Sequence, residues 1–534
     1  LLSIAKPEML AIIIFGISLA AALSGRSPLR GLIVACAGLV LAAVGQSRAG
    51  ELRWVFDSLY LWDGLHIVPV TLGLFALPEI ADMVIQRSSI ARSGTRPNIS
   101  FRAQLQGAGD TFRNWFLVVR CAGIGAGLGA VPGIGATVID WIAYGHAART
   151  VKGADETFGK GDVRGVIASE SSNNAKEGGS LVPTIAFGIP GSASMALILS
   201  ALLAQGIVPG PQMLADRLDV TYTLVWSVAL ANVFAAGACF VFANQFAKVS
   251  MIRIGLLGPI VLTIIFLGAT QGKHAWGDIL TFLAFGALGF MMKRLSWPRP
   301  PLILGVVLGG LLEDNAFIVA NVYGWDWLTR PIALTILAVT VLGIAQPLIM
   351  ALIRWKKTAG KTRSRLIRND LSGVAAQVAF TVGTGVFFVY ALESALDWRF
   401  RSALMPLSVS AIGIVLTFLV LVTLFFRWEV TRGDGTPVIR AQGVHLDHQT
   451  DLSGIPRLVY WQRLGILAGW CVGLALTALV IGLLPASALF LFFYLKVIER
   501  ERWPVSIGVT VALIGVIYLL FHLVLHVSWA PSWI

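Results

Sequence analysis

Long apolar runs, separated by short polar segments, cover most of the chain. A run of about 20 apolar residues, folded as an α-helix, crosses the roughly 30 Å hydrocarbon core of a bilayer. The strict apolar–polar alternation of an outer-membrane β-barrel is absent from the sequence. The pattern therefore predicts an all-α polytopic membrane protein with about 14–15 transmembrane or re-entrant helical segments, two of them broken at a Pro-Gly step. The spans predicted outside the broken segments are 8–23, 29–45, 66–86, 221–247, 251–271, 276–292, 300–318, 331–353, 371–394, 403–426, 461–483, 486–497 and 505–527.

Composition and charge agree with this class. Of the 534 residues, 56% are hydrophobic and 13% are charged, and the formal net charge is +13. Such a charge in a soluble protein would indicate nucleic-acid binding, but here the basic residues lie in short loops, as in membrane proteins whose positive loops face the cytoplasm. The arginine-rich loop 87–113 is therefore predicted to be cytoplasmic, and the predicted partner is the lipid bilayer, not nucleic acid. Four cysteines scattered in apolar runs are predicted to be inert buried thiols: Cys36, Cys121, Cys239 and Cys471.

The most basic polar segment, 354–370, has seven Lys or Arg residues and one Asp. A nucleic-acid patch is the alternative, but a short basic loop between apolar runs is more often topological. A second polar loop carries His445 and His448, which we interpret as part of a solvated face; the sequence predicts no metal site other than a transient Na⁺. The predicted parts are a large transmembrane domain over 1–355, a basic cytoplasmic linker over 356–370 and a smaller transmembrane domain over 371–534.

The first broken segment, 115–149, is flanked by basic residues on both sides. We therefore predict a re-entrant hairpin entered from the cytoplasm, with its tip at Pro132-Gly133. Gly135 would let the backbone turn, and Thr137 would open the return helix as an N-cap does. The free N–H groups at that helix start suit a carboxylate, and leftover carbonyl groups suit a cation.

The second break repeats this chemistry. The prediction is a short half-helix over Leu181–Gly188, an interruption at Ile189-Pro190-Gly191, and a helix over Ala193–Gln205 that Ser192 caps. Helix packing is the alternative role, since Gly-Pro kinks often serve packing alone and the glycines of 123–129 form overlapping GxxxG steps. Two such breaks flanking an Asn pair favour a substrate and ion site.

Polar residues lie between and beside the two breaks. Asn173 and Asn174 offer amide oxygens to Na⁺ and amide N–H groups to a carboxylate. Glu170 is a possible site residue, although with Lys176 it could equally form a solvated loop pair. Asp140, an ionisable residue inside an apolar run, could bind a cation or proton, or could neutralise an arginine such as Arg120.

These segments resemble the large permease subunit of the tripartite tricarboxylate transporter family. The motifs that carry the resemblance are GAVPGIGAT at 129–137, FGKGDVRGVIASESSNNA at 158–175, LVPTIAFGIPGSASMALILSALLAQGIVPGP at 181–211 and DWLTRP at 326–331. The similarity extends to about Trp355. From about residue 370 the chain is similar to the family's small membrane subunit, through ALDWRFRSALMP at 395–406 and GLLPASALFLFFYLKVIERERWP at 482–504. The chain thus resembles a fusion of the two subunits.

The resemblance implies secondary transport of a tricarboxylate, dicarboxylate or related organic anion across the bacterial inner membrane. An ion gradient of Na⁺ or H⁺ would drive uptake, no further cofactor is implied, and a periplasmic solute-binding protein would deliver the substrate. The binding residues implied by the matching motifs, with two neighbours we add, are Pro132, Gly133, Gly135, Thr137, Asn173, Asn174, Gly188, Pro190, Gly191, Ser192 and Ser194.

Two other functions stay open at this stage. A membrane-embedded enzyme would need clustered acids or histidines near one membrane face, and HExxH, GxSxG and P-loop signatures are absent from the sequence. A non-transporting structural subunit is favoured by the single copy of the PGxGxxT and IPGS motifs, since complete large subunits hold an earlier copy. The start at Leu1 is interpreted as a fragment boundary.

Overall fold

The computed structural model describes residues 5–23, 28–47, 49–86, 101–130, 136–158, 160–188, 190, 192–249, 254–342, 362–368, 371–432 and 455–524. Within these ranges, seven helices are long and apolar enough to cross a membrane, and five shorter helices are also apolar. The predicted all-α polytopic membrane class is confirmed. The labelled elements are α1 (Lys6–Leu23), α2 (Pro28–Ala42), β1 (Gly45–Gln46), β2 (Leu52–Arg53), α3 (Ile67–Gln86), α4 (Phe101–Arg113), α5 (Trp115–Gly129), α6 (Ala136–Thr150), α7 (Val163–Phe187), α8 (Ala193–Ala204), α9 (Leu218–Val249), α10 (Ile254–Ala269), α11 (Trp276–Arg294), α12 (Pro300–Tyr323), α13 (Pro331–Leu342), β3 (Thr362–Arg368), α14 (Leu371–Leu396), α15 (Phe400–Phe425), β4 (Phe426–Arg432), α16 (Arg457–Ile481), α17 (Leu483–Ile498) and α18 (Trp503–Ile517).

The chain forms two compact units, each made of three separate segments. Unit 1 comprises Leu1–Gly64, Gln106–Ala229 and Leu295–His448, and unit 2 comprises Leu65–Leu105, Leu230–Arg294 and Gln449–Ile534. Each unit therefore combines segments from both predicted transmembrane domains. The assignment of those domains to a large and a small subunit stays a prediction.

In unit 1, α2 and α12 pack with their backbones in close contact. A Cβ added at Gly38 of α2 or at Gly305 of α12 would overlap a backbone carbonyl of the other helix. Small residues at helix interfaces permit this approach in membrane proteins, where lipid chains are as apolar as the side chains and dispersion contacts hold helices together.

A buried ion pair ties the start of α15 to this pair of helices. Arg53, from the β1–β2 hairpin, donates to both carboxylate oxygens of Glu313 on α12 at 2.7 and 3.0 Å. Its guanidinium also donates to the main-chain carbonyl of Ser402 on α15 at 3.1 Å. Two parallel N–H···O bonds fix both distance and orientation, so the hairpin positions α15 against α12.

Unit 2 is built on aromatic packing among α3, α10, α11, α16 and α17. The rings of Phe266 and Phe282 lie 4.9 Å apart edge to face, and those of Trp470 and Tyr494 lie 5.5 Å apart. At the end of α11, Lys293 pairs with Asp82 of α3 at 2.7 Å. The neighbouring Arg294 pairs with the same carboxylate, so two basic side chains at the end of α11 hold it against α3.

Three sequence predictions differ from the fold. The second half of the loop 87–113 is helix α4, because its apolar residues recur at helical spacing among the arginines. The basic linker contains β3, which pairs antiparallel with β4, a strand that begins at the end of the span predicted at 403–426 and continues into the polar segment after it. Both strands mix charged with aromatic or β-branched residues, a composition that favours strands. Cys239 is exposed, whereas the other three cysteines are buried as predicted.

Candidate functional site

The first broken segment consists of α5 and α6, which both pack against α7. The predicted tip residues Pro132, Gly133 and Gly135 lie outside the described residues, as does the side chain of Thr137, whose backbone is in the first turn of α6. A helix lies on each side of the predicted tip, as predicted.

Helix α7 runs without interruption over 25 residues, so the polar segment between the breaks is helical. The predicted separate half-helix over Leu181–Gly188 is therefore wrong: most of it is the end of α7, which accommodates Pro183 inside it. Asp162 caps the start of α7 by accepting a hydrogen bond from the Arg164 backbone N–H at 2.9 Å. The ion pair with Arg164 holds the pKa of the Asp162 carboxyl well below its ordinary value.

Glycines bring α5 and α7 into backbone contact. A Cβ added at Gly125 would overlap the main chain of Ser172, and one added at Gly129 would overlap that of Lys176. From the other side, a Cβ added at Gly179 would overlap Ala126. The GxxxG step from Gly125 to Gly129 therefore does serve packing and fixes the backbone of Lys176 in place, whereas a Cβ added at Gly123 or Gly127 would meet no atom within 4 Å.

The side chain of Lys176 is buried and reaches α6. Its Nζ lies 3.1 Å from Oδ2 and 3.4 Å from Oδ1 of Asp140, with 6% of the lysine and 24% of the aspartate side chain exposed. The Ser172 hydroxyl donates to the same carboxylate at 3.3 Å. Asp140 therefore neutralises a cationic side chain, which is one of the roles predicted for it, but its partner is Lys176 and not an arginine. Arg120 donates instead to the Thr150 hydroxyl at 2.8 Å. Lys176 is not part of a solvated loop.

A second polar face of α7 leads to the second break. Glu170, Asn173, Asn174 and Glu177 are spaced three, one and three residues apart and so share one side of the helix. The Asn173 amide donates to Glu170 at 3.2 Å; Asn173 is half-buried, while Glu170 and Asn174 are exposed. Carboxylate and amide oxygens of this kind are suitable ligands for a hard cation. Within the described residues, no group of three His, Cys, Asp or Glu side chains could hold a metal ion.

The second break follows α7 directly. Gly188 ends the helix in the left-handed conformation, with φ 67°, which favours glycine. Pro190 is buried, while Ile189 and Gly191 lie outside the described residues. The Ser192 hydroxyl accepts a hydrogen bond from the Met195 backbone N–H at 3.3 Å, so its predicted N-cap is present at the start of α8.

The same hydroxyl joins the break to α7. The Ser192 side chain donates to Glu177 at 3.3 Å. Consecutive residues of α7 therefore contact the helices that follow both breaks: Lys176 contacts α6, and Glu177 contacts the start of α8. Sequence reasoning weighed Lys176 and missed Glu177, although the spacing of acids and amides along 170–177 carried the signal. Ser194 is exposed in the first turn of α8.

Comparisons with known proteins show similarity to two proteins of Agrobacterium vitis and to one transporter family. The chain is 29% identical over 342 residues to an uncharacterized 52.8 kDa protein in the TAR-I ttuC' 3' region of Agrobacterium vitis, covering 63% of this chain and 67% of that protein. It is 30% identical over 216 residues to an uncharacterized protein in the TAR-II ttuC' 3' region of the same organism, covering 40% of this chain and 89% of that protein. No solved structure shows significant similarity to the chain. Residues 1–304 match the tripartite tricarboxylate transporter TctA family, and the chain belongs to that family.

Proposed function

We propose that this chain is an ion-gradient-driven permease that moves a tricarboxylate, dicarboxylate or related organic anion across the bacterial inner membrane. The observation that carries the proposal is the position of Lys176, a buried lysine that lies between the two broken segments and pairs with the carboxylate of Asp140 at 3.1 Å. Burying a charged pair in an apolar protein costs desolvation free energy. Ionisable groups that membrane proteins retain in spite of this cost are commonly functional.

Lys176 would bind a carboxylate of the substrate. A lysine offers three N–H donors from a mobile stem, so its ammonium group can exchange the Asp140 carboxylate for a substrate carboxylate without leaving its place. The start of α8 adds unpaired backbone N–H groups beside Ser192, a further favourable environment for an anion.

The coupling ion would use the oxygen atoms on the other face of α7. Glu170, Asn173 and Glu177 supply carboxylate and amide oxygens in a row that ends at Ser192. Such a row suits Na⁺, and its carboxylates could alternatively carry a proton. Because Glu177 follows Lys176 directly, occupation of one face changes the charge next to the other, which would couple ion and substrate binding.

The test is uptake by the purified chain in proteoliposomes, with labelled di- and tricarboxylates under an imposed Na⁺ gradient or an imposed proton gradient. A periplasmic solute-binding protein for these anions, the delivery partner we propose, is added in one arm and omitted in the other. We expect uptake that one gradient drives and that the binding protein increases. Absence of gradient-dependent uptake of every anion in both arms would refute the proposal.

A further inference from the structure

Helix α4 carries an apolar row whose large side chains are mostly exposed. Successive residues of an α-helix turn by about 100°, so Phe101, Leu105, Ala108 and Phe112 fall within a sector roughly 60° wide. The exposed fractions are 62% for Phe101, 52% for Leu105 and 79% for Phe112. Three large apolar side chains in one exposed row would be unfavourable in water, so α4 needs an apolar surrounding.

The charged residues of α4 are ordered around this row. Arg102 and Arg113 lie together on one flank, roughly 100° from the middle of the row, and Asp110 lies on the opposite side of the helix. Arginines at such a flank keep their aliphatic stems on the apolar side while their guanidinium groups reach the polar boundary. The arrangement fits a helix that lies flat on an anionic lipid surface with its aspartate toward water.

An aromatic contact fixes the depth of α4. The ring of Phe101 lies 5.9 Å from that of Phe240 on α9. Phe240 comes six residues before Phe246, where the apolar span Leu218–Phe246 ends. At a rise of 1.5 Å per residue, the contact lies about 9 Å inside that end, within the 5–10 Å depth of interfacial helices.

The segment that follows α4 is consistent with this depth. Only Asn114 separates α4 from α5, which begins with the exposed aromatic residues Trp115 and Phe116. Aromatic side chains of this kind are enriched at the level of lipid headgroups.

We propose that α4 is an interfacial helix that binds anionic phospholipid. Its apolar row enters the boundary of the acyl chains, and Arg102 and Arg113 contact the headgroup phosphates of the cytoplasmic leaflet. A protein partner would also cover the apolar row, but it would exclude lipid from the Leu105 side chain. The two occupants therefore give different results in an accessibility experiment.

The experiment places one spin label at a time on the full chain after its four cysteines are replaced. Leu105→Cys puts the label on the apolar row, and Asp110→Cys, the matched control, puts it on the opposite side. In vesicles of phosphatidylcholine with phosphatidylglycerol, we expect oxygen, which concentrates in the hydrocarbon, to speed the spin relaxation of the Leu105 label. A water-soluble nickel chelate should instead speed the relaxation of the Asp110 label. Equal accessibility at both sites, or a Leu105 label shielded from both reagents as a protein partner would cause, overturns the proposal.

A second arm tests the headgroup contact. The Leu105 label should lie less deep in vesicles of phosphatidylcholine alone than in vesicles that also contain phosphatidylglycerol. The double change Arg102→Gln with Arg113→Gln should abolish that difference in depth. Arg149→Gln, which removes an exposed arginine at the end of α6, should preserve it. The anionic-lipid contact is refuted if the immersion depth does not depend on phosphatidylglycerol. It is also refuted if Arg149→Gln abolishes this dependence as the double change does.

Discussion

The change Lys176→Met tests the candidate site most directly. Methionine retains much of the apolar stem of lysine but removes the ammonium group that lies 3.1 Å from Asp140. A hydrogen bond to a charged group contributes about 1.5–3 kcal/mol. Losing this bond to a substrate carboxylate should therefore raise the substrate concentration for half-saturation roughly 10- to 150-fold. Uptake at low substrate concentration should fall by the same factor.

The same change also leaves Asp140 without its lysine, which affects stability. Breaking a fully buried pair costs about 3–5 kcal/mol, but the Asp140 side chain is 24% exposed and partly hydrated, so we expect about 1–2 kcal/mol. The thermal midpoint in detergent should therefore drop for Lys176→Met. Combining Lys176→Met with Asp140→Leu removes both charges and should restore most of that loss.

The two measurements separate a binding role from a packing role. Concentration-dependent uptake is measured in proteoliposomes for the single and double variants at matched amounts of folded protein. If Lys176 binds substrate, the double variant regains thermal stability but remains weak in uptake. A double variant that transports with wild-type half-saturation would refute the reasoning, because the pair would then serve packing alone.

Three further predictions concern the polar face of α7, the start of α7 and the buried ion pair of Glu313 with Arg53. Asn173→Ala combined with Asn174→Ala should abolish ion-driven uptake. The thermal midpoint should stay within a few degrees of wild type, because one side chain is half-buried and the other exposed. Near-normal uptake would contradict a binding role for the two asparagines. Asp162→Ala should speed hydrogen exchange of the first turn of α7 about fivefold, since an N-cap contributes about 1 kcal/mol. The depressed pKa of Asp162 adds stability above the ordinary carboxyl pKa, so the wild-type turn should loosen as the pH falls below about 4 and the alanine variant should not. Glu313→Ala should destabilise the fold by about 3 kcal/mol, and so lower the thermal midpoint, because it removes the carboxylate that pairs with the buried guanidinium of Arg53. An unchanged midpoint would contradict a stabilising role for this ion pair.

The parts of the site that sequence reasoning predicted are those set by local backbone chemistry. A serine directly after a Pro-Gly step predicts a capped helix, and Ser192 caps α8. The helix predicted to follow from Ala193 is also found, since α8 begins at Ala193. These features depend on residues adjacent in the chain, so no tertiary information was needed.

The parts that sequence reasoning missed depend on contacts between distant residues. Polar and glycine residues disfavour an isolated helix, so the segment 165–180 resembled a loop by propensity. Helix α7 forms because α5 and α6 pack against it. This stabilisation comes from tertiary packing and cannot be derived from helix propensity. The partner of Asp140 could not be selected from sequence either, since Arg120 and Lys176 were both available and only the fold brings one of them to 3.1 Å.

The packing and functional roles of the glycines in α5 are connected, and Gly129→Ala would show it. A Cβ at this position would overlap the backbone of Lys176, which has no freedom to move aside because it lies within a helix. Overpacking of this kind costs about 1–3 kcal/mol, and relief requires α5 to move away from α7.

Gly127→Ala is the matched control, since the added Cβ at that position meets no atom within 4 Å. We expect Gly129→Ala to lower both the thermal midpoint and the uptake rate, and Gly127→Ala to change neither. The separation follows from geometry alone, because both changes add the same methyl group to the same helix two residues apart. If Gly127→Ala impaired uptake equally, flexibility of α5 would be the property that matters, and close packing on Lys176 would not be what positions its ammonium group.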